Sequence, residues 1–394
     1  MSSYGSFNKQ HPEYRIPGPT THLDFKYQEV RDFKLAVLRE VAEKGVDAVM
    51  VDFTVYPPHF EDPDPAIGTQ FIRDVRAMLD EVGEQQNREI ELIVELPHRN
   101  ALELGLDWRT WMREGLVDII VPTRLRSGRK FDLRIDEFVQ LGRETGTRVW
   151  GFILHFLGYV TTDLTPEDER QGVRRYTKPK TQGMFFAQAL MYHRAGVDGI
   201  EVAGSMGTEW AKRPWYSDLA DPEKVKYADK HYTVDVEPYI PVSFDLPEEP
   251  PFTAESSVEL RIADDIHEAR AAGHTVDGTL VFYSRGLRDG ETLQIYVNDH
   301  GPITLEGGTP EEQAIEPPIY WLEERAPGLV ADAGGRFVAE SDWWRRGEHR
   351  VPFEAEWLQL GTNTIRLVYS TDHRDLEPAF RTSWIDILLD YDRG

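Results

Sequence analysis

Five short apolar segments alternate with amphipathic helical segments between residues 28 and 204, and this alternation constrains the fold more than any other feature. Each apolar segment is bounded by turn residues, as expected of a strand that is buried on both faces. The segments are Val46–Phe53, Ile90–Pro97, Val117–Pro122, Arg148–His155 and Val197–Gly204. Strands that alternate with helices in this way form a parallel sheet with helical crossovers.

Charged side chains interrupt these apolar segments. Asp52, Glu95 and His155 lie at or near the ends of three segments, Glu201 lies within a fourth, and Arg124 follows the remaining one. Each charge would be costly to bury alone in an apolar strand, although any one of them could be structural. Because the carboxyl ends of parallel strands meet at one edge, where such folds bind their ligands, we expect a shared polar site there.

The character of the chain changes near residue 252, where short alternating runs replace the helices. The prolines of residues 238–251 indicate a linker. We therefore predict a partial (β/α) barrel over residues 1–237 and an all-β sandwich of jelly-roll character over residues 252–394, with residues 301–350 rich in loops. The predicted strands of this second domain are Ser257–Ala263, Thr279–Ser284, Thr292–Asn298, Glu354–Leu360, Asn363–Ser370 and Ser383–Tyr391.

The charge balance limits the partners of the chain. Lys and Arg number 44 and Asp and Glu number 69, which gives a formal net charge of −25. A field of this sign repels nucleic acid and anionic membranes, so the sequence predicts neither as a partner. The chain has no cysteine and therefore no disulfide. No export signal or membrane-spanning run is recognisable, and a cytoplasmic location is expected for the sequence as it stands.

Three motifs in the N-terminal part of the chain resemble a known family. They are Asn8–Arg15, Tyr27–Phe33 and Asp47–Phe53, in that order. They look like the "-HPE-R" segment, the "PEVRDY" helix start and the "DGI-LD" strand of the glycosyl-hydrolase-like family ten proteins. Further segments that fit the family are Gly105–Trp111, Gly115–Pro122, Gly196–Ile200, Asp221–Glu223, Asp229–Tyr232 and Leu360–Ile365, so the resemblance covers nearly the whole chain.

The resemblance implies a (β/α)8 barrel related to glycoside hydrolases, followed by a β-domain, with a carboxylate believed to be catalytic at the position of Asp52. Two departures stand out. Ala48 occupies a position where the family usually has glycine, and the "-HPE-R" segment follows roughly the third barrel strand in the family but lies at the N-terminus here. The resemblance therefore predicts five of eight βα units, with Glu201 on the eighth strand. An incomplete copy, a partner chain that completes the barrel, or self-association through the gap would each be compatible with this prediction.

The candidate chemistry is glycoside hydrolysis, which needs two carboxyl groups beside the scissile bond. Asp52 is the first candidate, as nucleophile or general acid, and Glu95 and Glu201 are alternatives for the second role. His155 is a candidate hydrogen-bond partner of a substrate, although a histidine in a strand is more often a satisfied core residue. Aromatic rings stack on sugars and arginine binds acidic ones, so the candidates on the loops are Tyr56, Arg124, Glu209 and Trp210.

No motif for a metal or a cofactor is apparent, so the sequence predicts neither. His11, Asp62 and Asp64 lack the spacing of metal ligands, and no glycine-rich phosphate loop precedes a helix. Two classes of function follow. The first is a glycoside hydrolase that acts on a poly- or oligosaccharide. The alternative is a non-catalytic carbohydrate-binding or scaffold protein with a degenerate barrel, or one part of a split barrel.

Overall fold

A computed structural model describes residues 6–18, 22–54, 58–123, 131–158, 177–203, 213–234, 242–284, 287–307, 347–374 and 380–392. The chain forms two compact units. The first consists of Met1–Gly128, Leu133–Leu154 and Tyr192–Ala203, and the second of Arg129–Asp132, His155–Met191 and Gly204–Gly394. The predicted domain boundaries, with a linker over residues 238–251, stay predictions.

The first unit contains a parallel sheet of five strands, as the alternating pattern predicts. Among the described residues up to 203, the strands are β1 (Ala48–Asp52), β2 (Glu91–Pro97), β3 (Ile119–Thr123), β4 (Arg148–Leu154), β5 (Phe156–Gly158), β6 (Thr177–Pro179) and β7 (Gly199–Ala203). The order in the parallel sheet is β1-β2-β3-β4-β7, so its five strands follow one another in chain order, with β5 and β6 between β4 and β7 in the chain. Strands β5 and β6 pair with each other in the second unit. The sheet is a parallel half-barrel.

Helices connect the strands, and their ends follow from local sequence. The α-helices are α1 (Ser6–Gln10), α2 (Gln28–Ala42), α3 (Pro65–Gln86), α4 (Trp108–Arg113), α5 (Asp136–Thr145), α6 (Gln182–Ala195), α7 (Pro222–Lys226) and α8 (Ile266–Ala271). The Asp64 side chain accepts a hydrogen bond from the Ala66 N–H and caps α3, and Asp221 caps α7 in the same way. Within the described residues, no helix is long and apolar enough to cross a membrane.

The two faces of β1 differ in burial. Val49 and Val51 are buried on one face. Met50 points to the opposite face, because side chains alternate along a strand, and it is 38% exposed. On α2, Val37 and Val41 lie one turn apart and are 37% and 43% exposed. Among the described residues, β1 pairs only with β2, so one edge of the sheet is open there.

The second unit contains antiparallel sheets. Its further strands are β8 (Lys230–Thr233), β9 (Val242–Ser243), β10 (Phe252–Ile262), β11 (Val276–Ser284), β12 (Glu291–Val297), β13 (His300–Glu306), β14 (Gly347–Glu354), β15 (Gly361–Thr371) and β16 (Arg381–Tyr391). One sheet has the order β10-β15-β12-β13 and the other β14-β11-β16-β8, with β9 beside β16. Buried and more exposed residues alternate along β12 and β15, as in a sheet with one face in a core. The jelly-roll topology stays a prediction.

One prediction about this unit is wrong. Glu354–Leu360 is not a strand, because β14 ends at Glu354 and a 3-10 helix follows over Ala355–Trp357. The buried residues there, Ala355 and Leu358, are three apart, which suits one helical turn rather than a strand. The predicted loop-rich range 301–350 begins within β13, which follows a turn at Asn298 and pairs with β12. The apolar alternation of β13 is short, because it consists of Ile303 and Leu305 alone and the other residues of the strand are exposed.

A buried polar cluster joins β8, the end of β10 and β16. The Asp264 carboxylate accepts hydrogen bonds from the Tyr232 hydroxyl at 2.5 Å and from the Tyr391 hydroxyl at 2.6 Å. The Lys230 ammonium lies 3.5 Å from the same carboxylate and donates to the carbonyl of Ala228. Burial lowers the pKa of Lys230, and the charge of Asp264 opposes this effect. Asp264 therefore holds together three groups that are out of reach of water.

Asp264→Ala should lower the free energy of unfolding by about 3–5 kcal/mol, because it leaves two buried hydroxyl groups without their acceptor and a buried ammonium group without its counter-charge. The matched control is Glu255→Ala, which removes the carboxylate of an exposed ion pair with Arg366 and should cost about 1 kcal/mol or less. Urea denaturation followed by circular dichroism measures both changes. Equal stability of the two variants would contradict this role for Asp264.

Candidate active site

Three carboxyl groups lie on one face of the parallel sheet. Asp52 of β1 is paired in register with Glu95 of β2, and Glu201 of β7 is paired with Phe152 of β4. In a parallel sheet, paired residues and every second residue along a strand point to the same face. The residues that link Glu95 to Phe152 by this rule are Val121, Ile119 and Arg148. Asp52, Glu95 and Glu201 therefore share the face on which Met50 is exposed, which we call the inner face.

The inner face is concave. In a flat sheet, β1 and β7 would be four strand spacings apart, or about 19 Å. The charge of Asp52 nevertheless raises the pKa of Glu201, and the charge of Glu201 raises the pKa of Glu95. Charges act on a pKa in this way mainly when they are close together. The sheet must therefore curl so that its two edge strands present their carboxyl groups to a common space.

Nearer the N-terminal ends of the strands, other side chains cover the inner face. Arg148 forms an ion pair with Glu91 at 2.5 Å, nearer the N-terminal ends of the strands. The indole of Trp150 lies where a β-carbon on Gly199 would be, because such an atom would come within 2.7 Å of the ring nitrogen. Glycine at position 199 thus allows the ring to lie flat on β7, beside the strand that carries Glu201.

Thr54 connects two of the carboxyl groups. Its backbone N–H and its hydroxyl lie 2.6 Å and 2.7 Å from Asp52 Oδ1. The same hydroxyl lies 3.2 Å from Glu95 Oε1. Thr54 is only 5% exposed, so water has little access to these contacts. The sequence interpretation missed Thr54, although its spacing of two residues from Asp52 in an extended segment could have indicated the same face.

Two of the three carboxyl groups have strongly raised pKa values. Burial, followed by the charges of Asp52 and Glu201, raises the pKa of Glu95 to about 8. Burial and the charge of Asp52 raise the pKa of Glu201 to about 7. No described lysine or arginine forms an ion pair with any of the three carboxyl groups to offset this effect. Near neutral pH, Glu95 is therefore mostly protonated and Glu201 is close to half protonated.

Some polar atoms at the sheet have no partner among the described residues. Glu201 Oε2 and Thr123 Oγ1 are buried and have no hydrogen bond. By register, Thr123 lies two residues beyond Val121 on β3 and thus also faces inward. No group of three metal-binding side chains occurs in the described part of the chain. Within the described residues, these two oxygens are thus inward-facing polar atoms without a hydrogen bond.

The remaining predicted site residues are His155, Tyr56, Arg124, Glu209 and Trp210. His155 belongs to the second unit, where it is 1% exposed and its Nε2 lies 2.5 Å from the Tyr216 hydroxyl oxygen. Its ring packs against Phe185. The role of His155 in substrate binding stays a prediction. Tyr56, Arg124, Glu209 and Trp210 lie outside the described residues.

The similarity of this chain to known proteins is confined to solved structures. No family model and no curated protein matches the chain. Among solved structures, barrel-type glycoside hydrolases are similar at low identity. A family 18 N-acetylglucosaminidase from Paenibacillus barengoltzii is 18% identical, with a TM-score of 0.25, over 34% of this chain and 46% of that one. A multi-modular chitinase from Paenibacillus sp. str. FPU-7 is 11% identical, with a TM-score of 0.34, over 69% of this chain and 38% of that one.

A chitinase from Bacillus thuringiensis is 9% identical, with a TM-score of 0.34, over 91% of this chain and 77% of that one. The match covers less than half the length of the first two proteins. The resemblance to family ten stays a prediction.

The raised pKa of Glu95 should make the stability of the protein depend on pH. The ordinary pKa is 4.5 and the folded value is about 8, so between these values the folded chain binds more protons than the unfolded chain. The free energy of unfolding should therefore fall as the pH rises from about 4.5 to about 8. Glu95→Gln has no proton to lose at this position, so its free energy of unfolding should fall less over the same pH range. At pH 8 it should exceed that of the wild type by a few kcal/mol, since each unit of pKa shift corresponds to about 1.4 kcal/mol.

Urea denaturation at about pH 5 and about pH 8 measures this difference. Glu89→Gln makes the same chemical change at an exposed position and should follow the wild-type dependence. If Glu95→Gln lost as much stability between the two pH values as the wild type, the prediction that buried Glu95 is protonated would be wrong.

Proposed function

We propose that this chain is a glycoside hydrolase that acts on a poly- or oligosaccharide through carboxyl groups on the inner face of its half-barrel. One observation supports this above all, namely the charge of Asp52 on the same concave face as Glu201, whose pKa is raised to about 7. A pair of carboxyl groups with separated pKa values is the usual device by which such enzymes provide an acid and a base together.

Glu201 is the proposed proton donor. Its Oε2 has no hydrogen bond within the described residues, and its side chain is less buried than that of Glu95. It can therefore give its proton to the oxygen of the leaving sugar. Because its pKa is about 7, this acid is lost as the pH rises above neutrality. Asp52 is the proposed nucleophile or base, with its Oδ1 fixed by two contacts to Thr54.

Glu95 has a different proposed role. It is 7% exposed and lies beside Asp52 in register. A second full charge there would repel that of Asp52, and the raised pKa of Glu95 avoids this by keeping the group protonated near neutral pH. Glu95 is thus proposed to act as a protonated carboxyl group beside Asp52, which leaves the role of base to Asp52. His155, Tyr56, Arg124, Glu209 and Trp210 remain proposed substrate-binding residues.

A screen of polysaccharides and oligosaccharides for reducing-end release tests the function. Asp52→Asn and Glu201→Gln should each lower kcat by at least about a hundredfold, because each removes a group that acts on the reacting bond. Glu91→Gln changes a carboxyl group of the same face that lies in an ion pair with Arg148, and it should retain most of the activity. No hydrolysis of any tested saccharide, or full activity of Asp52→Asn, would overturn the proposal.

The open edge of β1 favours a second candidate, in which the barrel is completed by another polypeptide, either a second copy or a different chain. Backbone groups along an unpaired strand edge can pair with another strand, and Met50, Val37 and Val41 offer apolar surface near that edge. In that case the chain alone would bind carbohydrate without hydrolysing it.

The mass in solution tests this second candidate. Light scattering of the purified chain should show a mass above that of one chain if copies associate through the open edge. Met50→Lys should then restore the monomer mass, because it places a charge on the inner face beside that edge, whereas Leu360→Lys, at an exposed position of the second unit, should not. A monomer that hydrolyses saccharides by itself would exclude any need for completion.

A further inference from the structure

The Thr54 hydroxyl group lies within hydrogen-bond distance of two carboxyl groups but has one proton to donate. Its oxygen lies 2.7 Å from Asp52 Oδ1 and 3.2 Å from Glu95 Oε1. A hydroxyl group donates one hydrogen bond and can accept two others. Since the Asp52 contact is the shorter one and the backbone N–H of Thr54 also points at Oδ1, the single proton belongs in the Asp52 contact.

The contact between Thr54 and Glu95 is then a hydrogen bond only if the Glu95 carboxyl group supplies the proton. If Glu95 were ionised, its oxygen would face the lone pairs of the Thr54 hydroxyl, and two acceptors would oppose each other in a buried place. If Glu95 carries a proton, its O–H can donate to Thr54 Oγ1. The burial of Glu95 and the nearby charges of Asp52 and Glu201 raise its pKa and favour this protonated state. These effects outweigh the contact with Thr54, which lowers the pKa of Glu95 when the hydroxyl is the donor.

We propose that Thr54 is a positioning residue that relays hydrogen bonds from protonated Glu95 to the carboxylate of Asp52 and so fixes that carboxylate for reaction. No proton leaves the chain in this arrangement, because each hydroxyl keeps its own proton and only the direction of donation is fixed. When Glu95 ionises, the relay loses its first donor, and an acceptor of Glu95 then faces the acceptor side of the Thr54 hydroxyl, which stays with Asp52. The effect on activity rests on the proposed function, but the arrangement of protons does not.

Other titratable groups surround this relay. Glu201 faces Glu95 from β7. On the other side, the His59 ring nitrogen Nε2 lies 2.9 Å from the Phe53 carbonyl oxygen, and the charge of Asp52 acts on His59. Burial lowers the pKa of His59, and His22 and Lys34 lower it further. The titration of Glu95 can be distinguished from those of Glu201 and His59, because its midpoint, at about pH 8, is the highest of the three.

Carbon NMR of the side-chain carboxyl groups tests the relay directly. Signals are assigned by their loss in Glu95→Gln and Asp52→Asn. In the wild type, the transition of Glu95 should also shift the carboxyl signal of Asp52. In Thr54→Val, which replaces the hydroxyl by a methyl group, the midpoint of Glu95 should fall by about half a unit to one unit, because its protonated form loses an acceptor. Thr54→Ser keeps a hydroxyl and should restore both observations.

The direction of this shift separates the alternatives. If Thr54 donated to Glu95, the hydroxyl would stabilise the ionised form, and Thr54→Val would raise the midpoint. A raised or unchanged midpoint in Thr54→Val therefore overturns the relay, whether or not the protein hydrolyses any saccharide.

Kinetics test the positioning role. Thr54→Val should lower kcat about tenfold with little change in KM, and Thr54→Ser should recover most of the loss. An NMR shift as expected together with unchanged kcat and pH profile in Thr54→Val would overturn the positioning role. Absence of hydrolysis by the wild type would overturn the proposed function and leave the NMR result to decide the relay.

Discussion

The repulsion among three carboxyl groups on one concave surface is the constraint on which the site depends. The charge of Asp52 makes ionisation of Glu95 and Glu201 costly, and burial adds to that cost. Within the described residues, no lysine or arginine forms an ion pair with these groups, and the cost is met by a proton on Glu95 and, in part, on Glu201. A surface that keeps fewer than three charges at neutral pH differs in kind from one that holds three charges, although the residues are the same.

The sheet and its acidic side chains follow closely from the sequence. The apolar segments predicted five parallel strands, and the five strands occur in chain order. Asp52 and Glu95 could be placed together because both lie near the ends of adjacent strands. Glu201 was harder to place, because it is the third of the five residues of β7 and only the register of all five strands shows which face it takes.

Other features could not be predicted because they depend on tertiary structure. The pKa values of Glu95 and Glu201 depend on the curvature of the sheet, which a linear pattern does not encode. Thr54 has an ordinary side chain whose importance lies in two distances. In the second unit, β13 is a largely exposed strand with a short apolar alternation of two residues, and its pairing with β12 identifies it. These cases share one cause, since a pKa shift, a side-chain contact and a strand pairing each depend on two parts of the chain that are distant in sequence, rather than on one segment.

The unpaired edge of β1 gives the acidic composition a further meaning. Two copies that approached each other through this edge would each bring a formal charge of −25. At low ionic strength this repulsion acts over tens of ångströms, whereas physiological salt reduces its range to about 8 Å. The long-range field thus opposes edge-to-edge aggregation without a proline or a bulge to block the strand. Colloidal stability of this protein is then a property of the solvent as much as of the fold, and salt sets how closely two open edges can approach.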